Sequence, residues 1–190
     1  MMRRPTACIL ALFCLTLPAS AQRREIALPD VPGYQTLKCD FHMHTDFSDG
    51  SVWPTVRVEE AWSEGLDAIA ITDHIEYRPK RQDITTTDLN RPYELAAELA
   101  RQRNILLVRG AEMTRDTPPG HFNAIFLQDV NPLNTKEFFD VFEQAAEQNA
   151  FVFWNHPCWQ GRERGLWGPA QTTLFEKRRM HGIEICNDTL

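Results

Sequence analysis

The chain has no apolar run near the roughly 20 residues that a membrane-spanning helix needs; the stretch from Thr6 to Leu17 is only twelve residues long. It has no basic excess either. Lys and Arg number 20 against 26 Asp and Glu, for a formal net charge of −6, which argues against general nucleic-acid binding. Cysteines are few and none is paired at CxxC spacing. Of the five, two lie in the first twenty residues, leaving Cys39, Cys158 and Cys186. An odd number without that spacing excludes a disulfide framework, although a single bridge stays open. Internal repeats and low-complexity segments are also missing.

At the N-terminus, Arg3 and Arg4 precede the Thr6 to Leu17 run, and Ala19-Ser20-Ala21 follows it. A basic region, a short apolar region and a small-residue cleavage site read as a secretory signal peptide over 1–21. Its removal takes two Arg and no acid, shifting the charge from −6 to −8. The expectation is an exported protein, periplasmic or extracellular, with no membrane anchor after cleavage. Residues 22–36 form a lead-in, and 37–190 have the length of one domain.

Short β-branched runs alternate with helical stretches, which predicts an α/β fold with a mainly parallel sheet or barrel. Strands are expected at Leu37 to Phe41, Ala68 to Thr72, Ile105 to Val108, Phe122 to Leu127, Phe151 to Trp154 and Ile183 to Cys186. Helices are expected at Val56 to Gly65, Tyr93 to Arg103 and about Thr135 to Gln148. Gly65 suits a left-handed helix end.

The chemistry-bearing side chains sit at the ends of these runs. His42 and His44 close the first strand, where alternate residues share a face. Asp49 lies in a Ser48-Asp49-Gly50 turn, Asp73-His74 ends the second strand, Glu112 ends the third, and His156 follows the fifth. In parallel α/β architectures these ends share one face. His121 precedes its run, but Pro118-Pro119-Gly120 lets the chain double back toward Glu112. Five of the six histidines thus converge, with only His181 at the opposite end. Together with the carboxylates they can hold two or three divalent ions, and the mixed His and carboxylate donors suit zinc, manganese or iron. Adjacent strand side chains point apart, so Asp73 either ligates or supports the site from behind. Asp40 is expected to orient a ligand imidazole. Cys158, two residues beyond His156, is read as a buried thiol rather than a soft ligand.

At this point the chain resembles the polymerase and histidinol phosphatase (PHP) domain family. The resemblance is carried by Asp40-Phe41-His42-Met43-His44-Thr45, Ser48-Asp49-Gly50, the Gly65-to-His74 segment ending Thr72-Asp73-His74, Gly110-Ala111-Glu112, Gly120-His121-Phe122-Asn123 and Asn155-His156-Pro157. It implies a distorted (β/α)7 TIM-like barrel, incomplete here at about six of seven strands, with a trinuclear centre at the strand C-termini. It further implies that His42, His44 and Glu112 hold one ion, Asp49 and His74 a second, and Glu112, His121 and His156 a third, with Glu112 bridging. The family's late Asp-x-His is missing before Leu190, so the sequence is expected to be a fragment of a longer protein.

Such a site predicts hydrolysis of a phosphate ester, a phosphomonoester or a small nucleotide or oligonucleotide, by hydroxide formed from metal-bound water. Arg162 and Arg164 are the expected clamps for the phosphate of a small phosphorylated substrate. Trp159 and Trp167 read as filling the core of their own loop. Two other readings fit parts of the pattern: an amidohydrolase-type metallohydrolase, which also opens on HxH, and an exported metal-binding protein without turnover.

Overall fold

The computed structural model describes residues 22–116, 118–162, 165–185 and 187. The signal-peptide reading, Arg164 and Cys186 therefore lie outside the described residues. Six strands form one sheet in sequence order: β1 (Cys39–Met43), β2 (Ala68–Ile71), β3 (Leu106–Met113), β4 (Phe122–Ile125), β5 (Phe151–Trp154) and β6 (Gly182–Ile183). Four helices accompany them: α1 (Pro54–Glu64), α2 (Arg91–Arg103), α3 (Phe138–Glu147) and α4 (Pro169–Glu176). The sheet curls into a half-barrel of the TIM-like kind. Its curvature brings Asn123 of β4 within reach of β1, where the amide donates to the Phe41 carbonyl at 3.3 Å.

Strands β1, β2 and β3 run parallel, β4 runs against both neighbours, and β5 and β6 are again parallel. The reversal of β4 has a functional consequence. Its first residues lie at the same end of the sheet as the last residues of the other strands, so His121 joins His42, His74 and His156.

Local chemistry explains the elements. Pro54 and Pro169 stand at the first position of α1 and α4, where a missing N–H costs nothing. Gly65 ends α1 at φ 84°, and a β-carbon there would lie 2.2 Å from the Arg24 carbonyl oxygen; only glycine meets both conditions. β2 is buried throughout. Ile69 and Ile71 pack on Val58, Ala61, Ala96 and Ala100 of α1 and α2, while small Ala70 faces inward with Val108 and Ile125. A second core joins Met113, Phe122, Val141, Phe142, Val152 and Leu174 under α3 and α4.

Several elements differ from the sequence expectation; β6, for one, is Gly182–Ile183 rather than a strand beginning at Ile183. β1 starts two residues late, because its ladder opens at Cys39 opposite Ala68 and Leu37 stays exposed. β3 runs on to Met113 because its second half pairs with β4. Helix α4 occupies a stretch that carried no helical expectation. Cys39 and Cys158 are free and exposed, so Cys158 is not the buried thiol expected. Among the described residues no helix is long and apolar enough to cross a membrane.

Candidate metal centre

Glu112 sits in β3 with its side chain wholly buried, 0% exposed, and five imidazoles surround its carboxylate. His42 Nε2 and His44 Nε2 lie 2.9 and 3.1 Å from Oε2. His121 Nδ1, His74 Nδ1 and His156 Nε2 lie 2.7, 3.6 and 3.7 Å from Oε1. Burial opposes ionisation of Glu112, but contacts with His121, His156, His42 and His44 hold its carboxyl well below the usual range. Burial also works against a charged His42, yet its bonds to Glu112 and Glu184 push it up to about 9. His74 falls to about 4, chiefly through burial and then through the charges of His44 and His121, against the pull of Glu112 and Asp49. One carboxylate therefore divides its influence unequally among the rings.

The five rings are delivered by four strand ends, His42 and His44 sharing one. His42 lies in β1 and His44 just beyond it; their Nε2 atoms approach to 3.3 Å. His74 follows β2 and forms a parallel bridge with Glu112, which locks the second and third strand ends together. His156 follows β5 at φ 25°, a region that L side chains rarely adopt. Asp49 arrives on the turn after His44, its Oδ2 3.5 Å from His74 Nε2 and its side chain 40% exposed. That turn packs tightly on β1, since a β-carbon on Gly50 would lie 2.5 Å from His44 backbone atoms. Lys80 fastens it further, bonding Asp46 Oδ1 at 2.7 Å and the Gly50 carbonyl.

Asp73 resolves to the supporting alternative. It accepts from the Thr45 amide, the Thr45 hydroxyl and the Ser48 hydroxyl, each at 2.6 Å, and so holds the turn that carries Asp49. Burial raises its pKa despite these bonds. Asp40 does not orient an imidazole. It is exposed and accepts from the His42 backbone amide at 3.0 Å. Glu184 performs that task instead, bonding His42 Nδ1 at 2.9 Å, and Thr114 Oγ1 meets His74 Nδ1 at 2.6 Å. Glu184 had a readable signal, a carboxylate between Ile183 and Ile185 at the end of the sixth strand run. Thr114 had none.

Three buried polar atoms here lack a hydrogen bond: Glu112 Oε1, His44 Nδ1 and His121 Nδ1. The last lies close to Glu112 Oε1 but is not aligned for a bond. Buried polar atoms are ordinarily paired, and orphans among imidazoles and a carboxylate fit a divalent cation. Two donor triplets have their ligand atoms within 4.8 Å of one another, His42, Glu112 and His156, and His44, His74 and Glu112. Both use Glu112, as a bridging ligand would. The triplets cut across the ion-by-ion sets that the family resemblance implied. Cys158 belongs to neither.

Comparison with known proteins identifies the family. Residues 40–156 match the family described as PHP domain. The chain belongs to that family. A similar solved structure, at 54% identity and TM-score 0.85 over 89% of this chain, is a two-domain protein of Bacteroides vulgatus described as containing a predicted PHP-like metal-dependent phosphoesterase. This PHP chain spans 50% of that protein's length. A proposed metal-dependent phosphoesterase of Bifidobacterium adolescentis shares the fold at 17% identity and TM-score 0.59, over 79% of this chain and 77% of its own. A comparison with curated proteins gave no match.

The PHP centre opens into a cleft of about 430 Å³. Tyr77, Trp159 and Asn187 complete its walls. Trp159 is 51% exposed and packs beside His121 and His156 at centroid distances of 5.5 and 5.6 Å; it lines the cleft rather than a core of its own loop. Trp167 also packs outside its own loop, on Trp154 of β5 and Phe175 of α4, and donates to Thr172, so it too does not fill a core of that loop. Arg162 is exposed in the same loop.

Proposed function

We propose that this chain hydrolyses a phosphate ester, a phosphomonoester or small nucleotide, with two or three divalent ions held by His42, His44, Asp49, His74, Glu112, His121 and His156. The observation that carries the reading is the fully buried Glu112 carboxylate with five imidazole nitrogens within 3.7 Å. A structural carboxylate needs two or three donors, not five titratable rings with orphaned atoms between them. Family membership and the description of the Bacteroides relative support it.

Zinc, manganese or iron suits this donor set, and divalent ions when bound supply a Lewis acid for water and a counter-charge for phosphoryl oxygens. The chain's own residues do the rest. Glu112 and the imidazoles fix the donor positions from the ends of five strands, β1 to β5, so the geometry is set by the sheet rather than by loops. Asp73, through Thr45 and Ser48, keeps Asp49 over His74. Trp159 and Tyr77 line the cleft, and Arg162, exposed in the loop after β5, is the candidate cation for a phosphate oxygen. Export, as the N-terminal sequence suggests, would make metal supply outside the cytoplasm decide which ion is used.

The test is phosphate release from an aryl phosphate by the metal-supplemented chain, with Glu112→Gln beside it. Turnover in the wild type and loss by at least 100-fold in the variant is expected. Equal turnover in both would overturn the reading.

A further inference from the structure

Glu184 lies immediately after β6, at the opposite end of the strand order from β1, yet its carboxylate reaches two residues of the centre. Oε1 is 2.9 Å from His42 Nδ1, and Oε2 accepts the backbone N–H of His156 at 2.9 Å. Both partners belong to one donor triplet, His42, Glu112 and His156, and their rings stack at 5.6 Å. The side chain is 14% exposed, so water competes weakly for either bond.

We propose that Glu184 is a positioning residue that sets the cation affinity of this triplet, an inference that rests on the metal-centre reading above. Two actions combine in it. A hydrogen bond from His42 Nδ1 turns Nε2 toward Glu112 Oε2, 2.9 Å away, and commits that nitrogen's lone pair to the cation side. Acceptance of the His156 amide holds a residue at φ 25°, a backbone conformation that persists only where its surroundings enforce it. The second triplet contains neither contact. His74 is oriented separately by Thr114. Loss of Glu184 therefore weakens one cation position and spares the other, which a general loss of stability would not do.

The test compares wild type, Glu184→Gln and Glu184→Ala in two readouts. In metal-free protein, hydrogen exchange at the His156 amide is expected to accelerate at least tenfold in Glu184→Ala. In a zinc titration against a competing chelator, one equivalent is expected to weaken roughly 10- to 100-fold while another keeps its wild-type affinity. Glu184→Gln has one acceptor oxygen for two donors and falls between; it carries the same comparison should Glu184→Ala fail to fold. Unchanged exchange together with wild-type affinity at every position overturns the proposal, as does uniform weakening of all positions. Absence of zinc uptake by the wild type would instead contradict the metal centre and the affinity half of the proposal, while exchange at His156 still decides the positioning half.

Discussion

Individual side chains in this centre divide into those that face a cation and those that hold them there. His42→Ala removes a donor from beside Glu112, so metal content and turnover should fall together, whereas His181→Ala should leave both intact. His181 Nδ1 accepts the Val152 amide at 3.0 Å, so its loss should cost only about 1 kcal/mol in a denaturant titration. Asp73→Ala strands three donors of the 45–48 turn. A destabilisation of roughly 1–3 kcal/mol is expected, with weaker cation binding at the Asp49 side and the His42 triplet retained. A variant with wild-type unfolding and full metal content would contradict that role. At this scale the sequence was readable where a ligand-type residue ended an apolar run, which covers five of the seven candidate donors; Asp49 stands in a turn and His121 ahead of its run. It was not readable where the decision depended on rotamer and partner. Asp40 and Glu184 are both carboxylates on strand runs, and only the curl of the sheet turns the second toward His42.

At the scale of elements, the joints of the half-barrel carry most of the specificity. Gly65→Ala puts a β-carbon against the Arg24 carbonyl at a left-handed position, so the unfolding midpoint should drop by more than the about 1 kcal/mol usual for lost glycine freedom. At the same end of the sheet, Asp67 bonds the Lys38 ammonium and amide and the Arg23 guanidinium. Lys38, with Arg23 adding to it, lowers the Asp67 pKa below its usual 3.8 against slight desolvation. A depressed carboxylate contributes stability above its unfolded pKa and loses it as pH falls through the folded value. Asp67→Asn should therefore remove this contribution in full at neutral pH, where the loss does not depend on pH, and flatten the acid limb of a pH-stability curve; an unchanged acid limb would contradict the linkage. Strand and helix order was legible from alternating apolar runs and helix stops. Strand ends were less so, because β1 and β3 begin and end where a neighbour offers backbone partners, not where hydrophobicity changes.

For the molecule as a whole, six strands, one of them reversed, turn scattered His, Asp and Glu residues into a single cluster at one mouth of the sheet. The reversal of β4 could be inferred from Pro118-Pro119-Gly120; the closeness of β1 and β6, joined through His42 and Glu184, could not, since no local signal reports curvature. A centre assembled from the ends of five strands should couple cation binding to the stability of the entire fold. At a free ion concentration of 100 times Kd the folded state gains about 2.7 kcal/mol, so chelator should lower the unfolding temperature by several degrees and added ion should restore it. A melting curve insensitive to chelator would separate the cluster from metal binding.

On this reading Glu112 bridges cations held by the surrounding imidazoles. Elemental analysis of the purified chain beside Glu112→Gln tests it most directly. Two or more equivalents of zinc, manganese or iron in the wild type, with loss of most of them in the variant, is the predicted result. A wild type free of metal after incubation with each ion, or a variant that retains the full complement, would contradict it.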